Sequence, residues 1–133
     1  MGESPDICPT LTYEDAKAAI RLLTEGFGFT ADAVYEGEDG RVMHAELSYG
    51  NGKVMLGSKG TGSRFDQLMR GAGPAGVYVR VTDVDEHHAR AVAQGAEIVM
   101  PPTDQDYGSR DYMARDAEGN VWSFGTYAPG APG

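Results

Sequence analysis

Few side chains in this 133-residue sequence have the type and spacing to do chemistry. Cys8 is the lone cysteine, which excludes an intrachain disulfide and any clustered-thiolate zinc or iron–sulfur site. No base or cation stands beside it to lower its pKa, so the choice is between a nucleophile and an inert buried thiol. His44 and Glu46 lie two apart in a strand-like run and share a face. They form two metal ligands, an acid–base pair or a cross-strand hydrogen-bonded pair. His87 and His88 are neighbours on an amphipathic helix, cannot share a helical face, and are both expected in solvent. The polar segment from Pro101 to Arg110 reads as a turn-rich connection, with Tyr107 and Arg110 either at the mouth of a site or in a solvated hairpin loop. The sequence contains no Gly-rich phosphate cradle, Ser-His-Asp order or HExxH helix.

Composition narrows the partners. Eleven basic against twenty acidic residues give a net charge of -9, which repels phosphate backbones and anionic lipid. Neither nucleic acid nor a membrane is an expected partner; a neutral or cationic ligand suits the field, and the same charge also serves solubility. With 41% hydrophobic and 23% charged residues the chain has ordinary globular usage. Its length suits one domain or two half-sized modules. The acidic start, Met1 to Asp6, lacks the apolar core of a signal peptide, and a cytoplasmic location is expected.

The elements that must position these residues are written twice. Ile7 to Thr12 is strand-like and leads into Thr12-Tyr13-Glu14-Asp15, with the spacing of a capping box. Ala16, Ile20, Leu23 and Phe27 then recur at helical spacing before the Gly26-Phe27-Gly28 stop. Gly76 to Val81 and Thr82-Asp83-Val84-Asp85 repeat that pattern, with Ala89, Val92 and Ala93 expected on the buried stripe and Gly95 as the stop. Asp15 to Asp83 is 68 residues, and Gly50 to Gly119, the glycines of two Gly-Asn turns, is 69. Ala31–Glu36, Arg41–Ser48 and Val54–Leu56 supply further strand candidates in the first half; Glu97–Met100, Arg110–Arg115 and Val121–Ser123 do so in the second. Each half therefore reads βαβββ: residues 6–58 and 75–128, joined by a linker over 59–74 and followed by a tail over 129–133. Phe65, Leu68 and Met69 in the linker suggest one helical turn capping an opening.

This organisation resembles the vicinal oxygen chelate superfamily of glyoxalase I, extradiol dioxygenases, fosfomycin-modifying enzymes and bleomycin-resistance binding proteins. The resemblance covers roughly residues 6 to 128, and its most specific piece is the run from Arg115 to Gly125, an acidic residue and Gly119-Asn120 turn feeding an apolar strand. The fold it implies is α+β: two tandem βαβββ modules forming a curved mixed sheet around a concave cavity, helices on the outer face. The family's four metal positions fall here on Cys8, Leu56, Gly76 and Ser123, of which Leu and Gly cannot coordinate through side chains. No metal and no other cofactor is expected. Counting from those positions turns Thr10, Tyr78, Arg80 and Ser123 toward the cavity, with Val77, Val79, Val81 and Trp122 on the helix side. An inward arginine needs an anionic, carbonyl or aromatic partner, or an ion pair with the chain's own acids.

The function so implied is metal-free binding or sequestration of a small organic, antibiotic-like molecule by a homodimer. Thr10, Tyr78, Arg80, Tyr107, Arg110 and Ser123 are the ligand-binding candidates, and no catalytic residue is identified. The alternative is a lyase or dioxygenase-type enzyme of the same fold, using non-family ligands such as His44 and Glu46, or Arg80 and Tyr78 without metal.

Overall fold

A computed structural model describes residues 5–130, so Met1 to Ser4 of the acidic start and positions 131–133 of the expected tail lie outside the described residues. The chain divides into two compact units at Gly73/Pro74.

The first unit runs β1 (Thr10–Tyr13), α1 (Ala16–Arg21), β2 (Thr30–Glu36), β3 (Val42–Tyr49), β4 (Gly52–Ser58) and α2 (Arg64–Leu68). Its sheet has the order β1-β4-β3-β2, parallel between β1 and β4 and antiparallel elsewhere. The second unit repeats this with β5 (Gly76–Arg80), α3 (Val84–Ala93), β6 (Glu97–Asp104), β7 (Arg110–Arg115) and β8 (Val121–Gly125), in the order β5-β8-β7-β6. The duplication read from the two landmark offsets is thus a duplication of topology.

The expected curved mixed sheet around a concave cavity is not what forms. Strand pairing produces two open four-stranded sheets, neither closed nor curled. The reason is strand number: closing a sheet so that side chains fill its interior takes about eight strands. Four strands of four to eight residues leave both edges of each sheet unpaired. β6 tolerates Pro101 and Pro102 because it is such an edge, and its register slips between Met100 and Thr103.

The first helix of each unit starts later than the capping-box spacing suggests, by three residues for α1 and by one for α3. Thr12 is still in β1, and Asp15 is the cap, accepting from the Ala18 amide at 3.0 Å. Asp83 does the same for Glu86 at 3.0 Å. The α1 backbone continues as a π-helical turn over Leu22–Gly26, which Gly28 ends at φ 83°. One face of the first sheet packs with this helix through Leu11, Tyr13, Ala45, Leu47, Val54 and Leu56, all buried with Ala16, Leu23 and Phe27. The buried stripe of α3 is Val84, His87 and Ala91, whereas Ala89, Val92 and Ala93 are exposed. The register differs from expectation because His87 is buried: its Nδ1 lies 2.6 Å from the Tyr112 hydroxyl and its ring 4.4 Å from that of Phe124. A satisfied imidazole can occupy a core position that the aliphatic count alone would give to its neighbours. No helix among the described residues is long and apolar enough to cross a membrane.

Candidate functional site

Alternation gives each sheet a second face, opposite the one that packs with α1 or α3. In the first unit this face carries Thr10 and Thr12 of β1, Met55 and Gly57 of β4, and His44 and Glu46 of β3, as the registers Thr10↔Met55↔Glu46 and Thr12↔Gly57 require. Leu56, counted as a family metal position, points the other way and is 2% exposed. The count was one residue off because the β1–β4 register is fixed by pairing, and a slip of one exchanges the two faces. His44 and Glu46 share this face as expected and bond to each other at 2.9 Å, with the Tyr35 ring stacked on His44 at 6.2 Å. Lys53 bonds Asp32 at 3.2 Å and stands 3.8 Å from Glu46. The pair is an intra-strand hydrogen bond within a charged surface group, and no third metal ligand joins it among the described residues.

Over β1 and β4 the first unit forms a half-open cavity of about 310 Å³. Thr10, Thr12 and Met55 form its floor, Met43 one side, and Thr61 and Phe65 its cap. The cap is built by Asp66, a residue that the sequence reading passed over although Ser63 and Asp66 have capping spacing. Ser63 caps α2 by accepting from the Asp66 amide at 3.1 Å. The Asp66 carboxylate turns back to accept from Gly60 N at 2.9 Å and Gly62 N at 3.0 Å, while the Arg41 guanidinium donates to the Gly60 carbonyl. Gly60 and Gly62, both at φ 80°, permit that turn. The two amides, Gly60 first, hold the Asp66 carboxyl below the ordinary carboxylate range. A depressed folded-state pKa contributes stability above the unfolded value, and this is lost as pH falls through the folded one. Asp66→Asn is therefore expected to flatten the acid limb of the stability–pH curve and leave the slope above pH 6 unchanged, read by urea midpoints across pH.

In the second unit this second face carries Tyr78 and Arg80 of β5, Ser123 and Gly125 of β8, and Asp111 and Met113 of β7, through the registers Tyr78↔Ser123↔Met113 and Arg80↔Gly125↔Asp111. Val79, Val81 and Trp122 are buried on the other side. The alternation argument thus brings Tyr78, Arg80 and Ser123 together on one face, and Arg80 is exposed with no hydrogen bond or ion pair among the described residues. Tyr78 donates to the Tyr127 carbonyl at 2.6 Å; burial first, then the Asp111 carboxylate, raises its phenol pKa. Tyr107 joins this group, donating to Asp111 Oδ2 at 3.1 Å, a bond that raises its own pKa. Arg110 does not join. Its guanidinium reaches Asp85 of α3 at 2.9 and 3.3 Å and Asp104 at 3.1 Å, which lowers the Asp85 pKa and makes Arg110 a clamp between strand and helix. The sequence reading missed Asp111; the signal was a carboxylate at an inward alternation position in a strand whose partner offers glycine.

The model of the glyoxalase/bleomycin resistance protein/dioxygenase superfamily matches residues 9–124. The chain belongs to that superfamily. Among solved structures, the crystal structure of TioX from Micromonospora sp. ML1 is 35% identical with a TM-score of 0.80, over 96% of this chain and 100% of that one. A glyoxalase/bleomycin resistance protein/dioxygenase from Nocardioides shares the fold at 21% identity and TM-score 0.64, over 100% of this chain and 91% of that one. An uncharacterised protein of Mycobacterium bovis is 31% identical over 129 residues, which is 94% of this chain and 85% of that protein.

The superfamily implies a metal, and the donors present do not fit one. Of the four positions, Leu56 is buried on the helix side, Gly76 has no side chain, and Met55 and Gly57, which flank Leu56 on the second face, add at best a thioether. Cys8 is half-buried with its sulfur 3.9 Å from the Pro5 carbonyl, and Ser123 offers a hydroxyl. A site needs at least three protein ligands, and a hydroxyl and a thiol do not supply them. No group of three or more His, Cys, Asp or Glu able to hold a metal occurs among the described residues.

Proposed function

We propose that this superfamily member is a binding protein for a small organic molecule rather than a glyoxalase or dioxygenase. The observation that carries the reading is the cavity of about 310 Å³ in the first unit, where methionines and Phe65 supply apolar contact and threonines supply hydroxyls for orientation. The lining also includes His44, bonded to Glu46 at 2.9 Å, so turnover of a bound molecule is the outcome that separates an enzyme from a binding protein. A homodimer, suggested by the family resemblance, belongs to the same proposal; light scattering checks the oligomer.

Thermal-shift screening of cationic glycopeptides, dicarbonyl adducts and catechols tests the reading, because a ligand that binds only the native state raises Tm. A hit is expected to lose about five- to tenfold in affinity in Phe65→Ala, the removal of an exposed apolar ring from the cap. Turnover of a dicarbonyl adduct or catechol above the buffer rate, or one equivalent of Zn, Ni, Mn or Fe in protein purified without added metal, would refute it.

A further inference from the structure

Three carboxylates of the described residues are buried: Asp66 at 6%, Asp111 at 6% and Asp116 at 5% exposed. Backbone amides satisfy Asp66. Asp116 accepts from the amides of Glu118 and Asn120, the Asn120 side chain and the Trp122 indole. Asp111 is different. Its hydrogen bonds come from two hydroxyls, Ser109 Oγ and Tyr107 OH, and it makes no ion pair with any cation among the described residues. An ionised carboxylate has about four acceptor positions, and a buried one supported by neutral donors alone keeps much of its charge uncompensated.

The residues around that charge are aromatic and partly exposed. Tyr107 is 66% exposed, Tyr127 51% and Tyr78 37%. Tyr107 and Tyr127 meet edge to face, centroids 6.2 Å apart at 87°, and the Tyr78 hydroxyl is tied to the Tyr127 carbonyl. Beneath them Gly125 makes room for the carboxylate itself: a Cβ there would lie 2.1 Å from Asp111 Oδ1 and 3.0 Å from the Tyr78 hydroxyl. A buried anion ringed by three accessible tyrosines complements a cation that brings its own apolar surface, since ring faces and the carboxylate attract it together. We propose that Asp111 with Tyr78, Tyr107 and Tyr127 forms a recognition site for an organic ammonium group. The chain's own candidate for this place is Arg80, on the same face at the Gly125 register and unpaired among the described residues, so it competes with the ligand. The net charge of -9 favours any cation's approach.

This site goes beyond the cavity of the first unit and does not depend on it. Calorimetric titration of the full chain with choline and with its neutral isostere 3,3-dimethylbutanol tests it. Choline is expected to bind at least about tenfold more tightly than the alcohol, the worth of a desolvated cation among aromatic faces and a carboxylate. Asp111→Asn is expected to erase that preference. Tyr127→Ala, at an exposed position outside the sheet, is expected to weaken choline several-fold with the fold intact, so the outcome does not hang on a core substitution. Arg80→Ala should tighten choline, and Phe65→Ala should leave it unchanged while weakening ligands of the first cavity. Equal affinity for choline and the alcohol, no detectable choline binding, or undiminished binding in both Asp111→Asn and Tyr127→Ala would overturn the proposal.

Discussion

Asp116→Ala is expected to destabilise the chain by about 3–4 kcal/mol, the range for breaking a buried network and stranding its donors. The carboxylate closes the turn between β7 and β8, accepting from Glu118 N at 3.1 Å, Asn120 N at 3.0 Å, Asn120 Nδ2 at 3.0 Å and Trp122 Nε1 at 3.1 Å. Trp122 is fully buried, so water cannot readily replace the acceptor its indole N–H would lose. Asn120 also accepts from Ala75 N at 2.9 Å just before β5, which carries the damage to the parallel β5–β8 pair. Urea unfolding followed by fluorescence reads the effect directly, because Trp122 is the sole tryptophan. Asp116→Asn keeps one acceptor oxygen but turns an amide toward other donors, and should fall about midway. A loss under about 1 kcal/mol in the alanine variant would mean that the turn holds without its carboxylate.

This turn was also the most legible part of the sequence. Its acidic residue, glycine and asparagine all act locally, within six residues of one another, so spacing alone announces them. Strand positions were legible for a similar reason: β7 falls on the expected Arg110–Arg115, and alternation correctly separated Val79 and Val81 from Tyr78 and Arg80. What stayed hidden depends on partners distant in the chain. His87 looks like a solvent residue until Tyr112, 25 positions away, supplies its hydrogen bond. Leu56 looked like a site position until the pairing with β1 set the register. The curved sheet around a cavity came with the family resemblance and never from periodicity, which reports which face a residue takes but not how many strands a sheet must join to curl. Asp111 is the clearest case, since its meaning lies in Gly125, Tyr78 and Tyr107 together.

That dependence makes Gly125→Ala the sharpest test of how the second unit is built. The substitution is expected to cost about 2–3 kcal/mol, typical of forcing a methyl into a packed site. It is also expected to abolish discrimination between choline and its neutral isostere. The added Cβ would lie 2.1 Å from Asp111 Oδ1 and 2.8 Å from its Cγ, distances that real contacts do not reach, so the carboxylate must leave. It cannot leave cheaply, because Ser109 and Tyr107 hold it, and the Tyr78 hydroxyl would stand only 3.0 Å from the same added Cβ. Gly76→Ala is the control on the same face: the nearest atom to its Cβ is Val121 O at 3.9 Å. That variant should be neutral within about 0.5 kcal/mol, or slightly stabilising through the unfolded chain. The decisive comparison is the cycle with Asp111→Ala, because removing the carboxylate also removes the obstruction. If the steric account is right, Gly125→Ala costs far less in the Asp111→Ala background than in the wild type, a coupling expected to exceed about 1 kcal/mol. Additive costs would instead place the penalty in the β8 backbone and leave the glycine unrelated to the carboxylate above it.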